Sequence, residues 1–197
     1  MWIKICGIST TEAALCCAKA GADAIGFVFA ESSRKITVKA AAKIIEALPP
    51  TMQKIGVFVD APWEDVAEIE CRLGLDLLQF SGTESPSYCN RFPGKAVKSF
   101  RVKNSADLAA IKAYRDSIRA CLLDSFEPGT AGGTGKTWNW SALGAEIKQK
   151  LFGIPLIVAG GRGRALYRSP CSHPDRRPPR SAARKPQLSP AGRRRAD

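Results

Sequence analysis

The sequence predicts an α/β protein built from repeated strand–helix units. Up to Gly161, short runs of β-branched and aromatic residues alternate with longer stretches in which apolar residues recur at helical spacing. The distance from one strand to the next stays near the length of one strand–helix unit. Such a chain forms either an open doubly wound sheet or a closed (β/α)8 barrel, and periodicity alone does not separate the two.

Seven strands are predicted from these runs, and all of them precede Gly161. They are WIKIC (2–6), AIGFVF (24–29), KIGVFV (54–59), DLLQF (76–80), AVKSFRV (96–102), ACLLDS (120–125) and PLIVAG (155–160).

Helices are predicted between the strands. Ser9 followed by Glu12 fits a capping box, in which each side chain satisfies a free backbone donor, and this helix then runs to a stop at Gly21. Further helices are predicted at 38–48 and 62–73 and near 85–92, 105–115 and 141–150.

The chain changes character after Gly161. Residues 162–197 contain six prolines, eleven Lys or Arg and two acidic residues, so they hold +9 of the formal net charge of +12. With few large hydrophobic residues this stretch is expected to be disordered. We therefore predict a barrel domain over 1–161, incomplete at about seven strands, and an Arg/Pro-rich tail over 162–197. Our hypothesis for the tail is a frameshifted or otherwise aberrant reading of GC-rich coding DNA.

Several classes of protein are disfavoured by the remaining composition. The seven cysteines form an odd set without CxxC pairs and His173 is the only histidine, so neither a disulfide framework nor a metal site is indicated. GGTGKT (132–137) lacks the spacing of a phosphate-binding P-loop. Since no secretory signal and no apolar run of bilayer length is found, we expect a cytoplasmic protein.

Seven motifs in order carry a resemblance to a known family. They are KICGIS (4–9), GADAIGFVFAESSRKIT (21–37), GVFVD (56–60), LLQFSG (77–82), LLD (122–124), AGGTGKTWNWS (131–141) and PLIVAGG (155–161). Together they make the chain similar to phosphoribosylanthranilate isomerase, a TIM-barrel enzyme of tryptophan biosynthesis. Two positions depart from the family pattern, since Ser81 stands where a histidine is usual and Asn139 where an aspartate is common.

The resemblance implies an Amadori rearrangement of N-(5-phosphoribosyl)anthranilate to 1-(2-carboxyphenylamino)-1-deoxyribulose 5-phosphate. This intramolecular aldose–ketose isomerisation needs a general acid and a general base, and neither a metal nor another cofactor. Cys6 matches the family's base and Asp124 its acid. Taken alone, a free cysteine is more often a small buried hydrophobe, and Asp124 is equally suited to a turn or helix cap.

Other residues are implied to bind the substrate. Arg34 fits the family residue that holds the anthranilate carboxylate, with Lys35 as the alternative because this loop is one residue shorter than in some relatives. Gly160 and Gly161 suit close approach of backbone amides to the phosphate, and Gln79 is expected to line the pocket. Glycines after a strand are otherwise turn formers, SSRK is equally well a solvated loop, and Gln79 fits a packing role too.

Two features of the chain itself bear on these roles. Lys4 precedes Cys6 by two residues, so the two side chains share one face of strand one, where the ammonium would favour the thiolate. GGTGKT resembles a mobile loop over the substrate, with Lys136 as a surface cation and not a catalytic group.

Two alternatives to an active isomerase remain open at this point. An incomplete barrel would leave unpaired edges on strands one and seven, which would make the chain an inactive remnant of the enzyme. The basic tail suggests a nucleic-acid-binding arm, which is disfavoured because it lacks interleaved aromatic residues. The expected partner is a small phosphorylated aminosugar, and no oligomeric state follows from the sequence.

Overall fold

A computed structural model describes residues 2–102, 105–125, 151, 153–159 and 165–168. Its eight strands form one closed barrel in chain order. The strands are β1 (Trp2–Cys6), β2 (Ala24–Val28), β3 (Gln53–Phe58), β4 (Leu77–Phe80), β5 (Ala96–Val102), β6 (Ala120–Ser125), β7 (Leu156–Ala159) and β8 (Ala165–Arg168). The helices are α1 (Thr11–Lys19), α2 (Val38–Glu46), α3 (Trp63–Leu73), α4 (Pro86–Cys89) and a 3₁₀ helix (Ser105–Tyr114).

The first seven strands confirm the predicted parallel sheet. Each of them pairs in parallel with the next, from β1 through β7. The predicted bounds of β1, β5 and β6 coincide with the observed ones, and the other four agree within one residue at each end. The strands close into a barrel, so the open doubly wound sheet, which periodicity alone did not exclude, is not the fold of this chain.

The eighth strand is the main difference from the sequence prediction. Residues 165–168 belong to the stretch for which disorder is expected, and they pair antiparallel with both β1 and β7. Only residues 160–164 separate β8 from the end of β7, whereas a parallel return needs a crossover of a dozen or more residues. The short connection therefore allows β8 to return only as an antiparallel strand. In this direction β8 can still pair with the backbone groups on the open edges of β1 and β7.

The start of α1 also differs from the prediction. The N-cap is Thr10 and not Ser9, because the Thr10 hydroxyl accepts a hydrogen bond of 3.2 Å from the backbone N–H of Ala13. The helix still ends as expected, with Gly21 at φ +83° directly after its last turn. Glu12 remains in the first turn, where its charge is favourable.

The later predicted helices are shorter or of a different type. The one predicted near 85–92 is the single turn α4, and the one near 105–115 is the 3₁₀ helix. The helix predicted at 141–150, together with the GGTGKT loop and Asn139, lies outside the described residues.

Alternation along the strands divides the core into two layers. Inside the barrel, Val97, Ala120, Leu122 and Ile157 are buried together and contact Trp2. A larger layer, which includes Ile25, Phe58 and Phe80, packs between the sheet and the helices. Because successive side chains of a strand point to opposite faces, each strand supplies both layers, and its polar inward positions are left for a site.

Candidate active site

Polar side chains occupy the inner face of the barrel toward the carboxyl ends of three strands. Cys6 is the last residue of β1, and Lys4 lies two residues before it on the same face. Asp124 is half-buried and follows Leu122 by two residues in β6, so it shares the inward face of that leucine. Gln79 supplies the corresponding position of β4. The carboxyl ends of barrel strands are where catalytic groups of this architecture collect.

Gly26 makes room for the two side chains of β1. It is the register partner of Cys6 in β2. A Cβ atom built on Gly26 would lie 2.9 Å from Cys6 Sγ and 3.0 Å from Lys4 Cε. The sulfur and the lysine side chain therefore both lie over the same bare stretch of backbone, on the one strand face that the period-two argument predicted.

A buried hydrogen-bond chain crosses the barrel from β1 to β4. Lys4 is only 5% exposed, and its Nζ donates to Gln79 Oε1 at 2.5 Å. Gln79 Nε2 in turn donates to Ser81 Oγ at 3.0 Å. Gln79 therefore lies on the inner face of the barrel, and Ser81, which stands where the family usually has histidine, accepts its hydrogen bond.

Arg34 lies against the residue that follows Cys6. Gly7 has φ +82°, and a Cβ atom there would lie 2.5 Å from Arg34 Cδ and 3.2 Å from Arg34 Nε. Lys35, the alternative binding residue, forms an exposed ion pair with Glu31. Of these two neighbouring residues, Arg34 is the one whose side chain lies against Gly7, and its role in binding stays a prediction.

Among the described cysteines, Cys6 alone combines a strand end with the inner face. Cys16, Cys17 and Cys71 are on helices. Burial raises the pKa of Cys121, which packs in the outer layer of β6, to about 12. Burial likewise raises the pKa of Cys89 to about 11, against the opposing effect of a nearby lysine ammonium. Neither buried thiol is suited to act as a base near neutral pH.

Some of the predicted site residues fall outside the described part of the chain. Gly160, Gly161 and Lys136 belong to this group, so their proposed roles stay predictions. The sequence prediction missed Gly26, which carries no side-chain signal, and the buried pair Lys98 and Glu84 behind β4. A lysine in the middle of the β5 strand, AVKSFRV, was the available hint of that pair.

The fold is that of the (β/α)8-barrel enzymes, and it places a cysteine and an aspartate on the inner face at the carboxyl ends of β1 and β6. A model of the N-(5′phosphoribosyl)anthranilate (PRA) isomerase family matches residues 3–163. The chain belongs to this family of isomerases of tryptophan biosynthesis.

Individual relatives agree with this placement. N-(5′-phosphoribosyl)anthranilate isomerase from Geobacter sulfurreducens is 46% identical over 160 residues, which cover 81% of this chain and 76% of that protein. The crystal structure of phosphoribosyl anthranilate isomerase from Thermotoga maritima matches with a TM-score of 0.74 and 32% identity, over 82% of this chain and 77% of that one. A further solved isomerase holds reduced 1-(o-carboxyphenylamino)-1-deoxyribulose 5-phosphate, with a TM-score of 0.57 and 26% identity over 81% of this chain and 86% of that one.

No helix in the described part of the chain is long and apolar enough to cross a membrane.

Proposed function

We propose that this chain catalyses the Amadori rearrangement of N-(5-phosphoribosyl)anthranilate with Cys6 as the general base and Asp124 as the general acid. The observation that supports these roles is the placement of both groups on the inward face, at the carboxyl ends of β1 and β6. An acid and a base on separate strands, facing one cavity, are able to act on two different atoms of the same substrate.

In the first step, Asp124 gives its proton to the furanose ring oxygen as the bond from that oxygen to C1 breaks. The nitrogen lone pair forms the C1=N bond, so the ring opens to a protonated Schiff base. In the second step, the Cys6 thiolate removes the C2 proton. The electron pair of that C–H bond forms the C1=C2 bond while the π pair of the C1=N bond returns to nitrogen, which gives a neutral enolamine. Tautomerisation of the enolamine moves the hydroxyl proton to C1 and leaves the ketone at C2. No atoms or electrons are gained or lost overall.

Lys4 is proposed to place its positive charge on the inner face near Cys6. Its side chain shares the space over Gly26 with the sulfur, and its ammonium is held by Gln79 on the inner face. Gln79 is proposed to orient this charge and to line the pocket.

Arg34 is proposed to bind the anthranilate carboxylate. Its guanidinium offers the planar two-donor fork that matches a carboxylate, and its side chain passes directly over Gly7, next to Cys6. A substrate held there by its carboxylate would bring the sugar toward the base. Gly160 and Gly161 remain our candidates for the phosphate, and cytoplasm remains the proposed compartment.

The alternative that the chain is an inactive remnant of the enzyme rested mainly on unpaired edges of β1 and β7. Both edges are paired with β8. The comparisons likewise give that alternative no support, and nucleic-acid binding by the tail has no observation in its favour.

The test is turnover of freshly generated phosphoribosylanthranilate, followed by loss of its fluorescence. Cys6→Ala and Asp124→Asn should each lower kcat by at least about 100-fold, the lower range for loss of a general acid or base. Cys71→Ala and Asp65→Asn, which change the same residue types on helix α3, are the matched controls and should keep full activity. Substantial turnover in a folded Cys6→Ala or Asp124→Asn protein would remove that residue from its assigned role.

A further inference from the structure

A lysine and a glutamate form a buried ion pair on the outer face of the sheet, behind the strand that carries Gln79. Lys98 Nζ lies 3.1 Å from Glu84 Oε2, and the two side chains are 4% and 1% exposed. A pair buried this completely is stable only when its remaining donors and acceptors are also satisfied. The proposed chemistry uses neither residue.

The hydrogen bonds of Lys98 concentrate on the end of β4. Its ammonium donates to the carbonyl of Gly82 at 2.8 Å and to that of Phe80 at 3.3 Å. A further bond of 3.3 Å goes to the carbonyl of Ser99, beside it in β5. Phe80 is the last residue of β4 and Gly82 lies two residues beyond it, so the ammonium binds the backbone directly before and directly after Ser81.

Glu84 binds the backbone after β4 as well, through hydrogen bonds that its carboxylate accepts. Its carboxylate accepts from the N–H of Gly82 at 3.0 Å and from the N–H of Asp60 at 2.9 Å. Asp60 follows β3 and itself accepts from the N–H of Thr83 at 2.6 Å. The ends of β3 and β4 are thereby joined through one buried carboxylate.

Ser81 connects this outer cluster with the inner face. Its backbone is held between the two carbonyls that bind Lys98, and its hydroxyl accepts from Gln79 Nε2. Gln79 Oε1 accepts from Lys4 Nζ, whose side chain shares the space over Gly26 with Cys6. A continuous series of direct contacts therefore runs from Lys98 to the side chain beside the proposed base.

We propose that Lys98 and Glu84 are positioning residues of the active site, which act through Ser81 and Gln79 to hold the Lys4 ammonium beside Cys6. The proposal rests on the proposed function of Cys6. Neither residue touches the substrate, so their loss lowers kcat and leaves substrate binding by Arg34 intact. A merely structural anchor for α4 would instead affect stability alone.

The test compares Lys98→Met/Glu84→Gln, which removes both charges together, with the wild-type chain. We expect kcat to fall about tenfold while KM changes less than about twofold, which marks loss of an interaction made in the transition state. The second readout is the rate of Cys6 alkylation by iodoacetamide at fixed pH, resolved by peptide mass spectrometry. It should slow at least about threefold, because the thiolate is the reacting form.

Two further variants locate the effect. Gln79→Leu should reproduce both losses, and its combination with Lys98→Met/Glu84→Gln should cause little additional loss, since the residues act in one chain. Lys95→Met/Glu70→Gln is the matched control. Lys95 also joins a glutamate at 2.6 Å and a backbone carbonyl at 3.1 Å, but it lies before the start of β5, away from Ser81. This control should leave kcat and Cys6 alkylation unchanged.

Unchanged kcat and alkylation in a folded Lys98→Met/Glu84→Gln protein would overturn the proposal, as would equal losses in the control. If that variant does not fold, Lys98→Arg takes its place. Lys98→Arg keeps the positive charge, but the donors of a guanidinium are spread over a planar group. No single nitrogen of arginine can therefore bind all four acceptors of the Lys98 ammonium. This variant should slow alkylation at least about twofold, and an unchanged rate would overturn the proposal. The alkylation readout is independent of turnover, whereas failure of the proposed function would appear separately as retained turnover in Cys6→Ala.

Discussion

The side chain of Arg34 crosses directly over Gly7, the residue that follows Cys6. A Cβ atom at Gly7 would lie 2.5 Å from Arg34 Cδ, and Gly7 itself has φ +82°. The backbone N–H of Arg34 donates to Ser32 Oγ at 3.1 Å, which helps to fix the loop. The residue proposed to bind the carboxylate and the proposed base are therefore positioned by the same turn of backbone.

Gly7→Ala should weaken substrate binding by displacing Arg34. We expect KM to rise by about tenfold, equivalent to about 1.4 kcal/mol. Because alanine is strained at the positive φ of this position, the substitution should also lower the free energy of unfolding by roughly 1–2 kcal/mol. Gly21→Ala separates the two effects, because Gly21 has φ +83° and nothing within 4 Å of its Cβ position. It should share the loss of stability, measured by denaturant unfolding, and keep the wild-type KM. A rise in KM of similar size in both proteins would contradict the role given to Gly7.

Arg34 and Lys35 are distinguished by separate substitutions. Arg34→Lys should raise KM by about tenfold or more, because an ammonium cannot reproduce the two parallel donors of guanidinium. Lys35→Met should change KM by less than about twofold, since its ion pair with Glu31 is exposed and such pairs contribute little. Steady-state kinetics at fixed pH measure both. The reverse pattern would assign the carboxylate to Lys35.

Gly26→Ala should lower kcat while preserving the fold. The added methyl group would compete for space with Cys6 Sγ at 2.9 Å and Lys4 Cε at 3.0 Å, so both side chains must move. We expect kcat to fall at least about tenfold, since displacement of reacting groups by about 1 Å is costly.

Gly56→Ala is the matched control for this change. It lies on the neighbouring strand β3, and its Cβ would instead meet the side chains of Phe58 and Leu75 in the outer layer. It should lower the free energy of unfolding and retain kcat. If Gly26→Ala kept wild-type kcat, the crowded arrangement around Cys6 would have no catalytic importance.

The fold could be predicted largely because local patterns and barrel geometry agree. The strand bounds follow from apolar runs, and β1 through β7 appear where those runs lie. The closing strand could not be predicted in this way, because its four residues form a strand only when β1 and β7 offer their edges. The strand propensity of residues 165–168 alone does not indicate that these two edges are available for pairing.

The site was predictable only in part, for a related reason. Strand alternation, which fixes the face of every second residue, placed Lys4 and Cys6 on one face. The positions of Asp124 and Gln79 were implied by the family resemblance. Lys98 follows the same alternation to the outer face, where a lysine is expected to be exposed. Its burial depends on Glu84, fourteen residues away in a loop, and the sequence pattern contains no signal for that pairing.

Stability should fall at alkaline pH. Burial raises the pKa of Cys89 from 9.0 to about 11 and that of Cys121 from 9.0 to about 12. Burial, with the nearby Glu84 charge as a smaller cause, raises the pKa of Tyr88 from 10.0 to about 12. Above pH 9 the unfolded chain loses these protons while the folded chain retains them. The stabilisation is therefore complete below about pH 9 and is lost as the pH rises toward 11–12.

Urea unfolding between pH 8 and 11 tests this prediction. Cys89→Ala/Cys121→Ala should show a shallower decrease in the free energy of unfolding over that range. Cys16→Ala/Cys71→Ala is the control, since both of its cysteines are exposed, and it should keep the wild-type slope. Equal slopes in all three proteins would show that the buried thiols do not cause the loss.

Closure of the barrel by β8 predicts a specific effect of proline. Leu166 is paired on both sides, with Ile3 of β1 and with Val158 of β7. Leu166→Pro removes a backbone donor from a strand that has neighbours on both edges, where proline is poorly tolerated. Leaving a partner carbonyl unsatisfied costs about 2 kcal/mol, and for a chain of this size Tm should fall by roughly 6 °C. Because β1 carries Cys6 and Lys4, kcat should fall as well.

Leu188→Pro makes the same change in the Arg/Pro-rich part of the tail and should alter neither quantity. If both variants kept the wild-type Tm and kcat, β8 would not contribute to closing the barrel in solution, and the seven parallel strands would have to support the site without it.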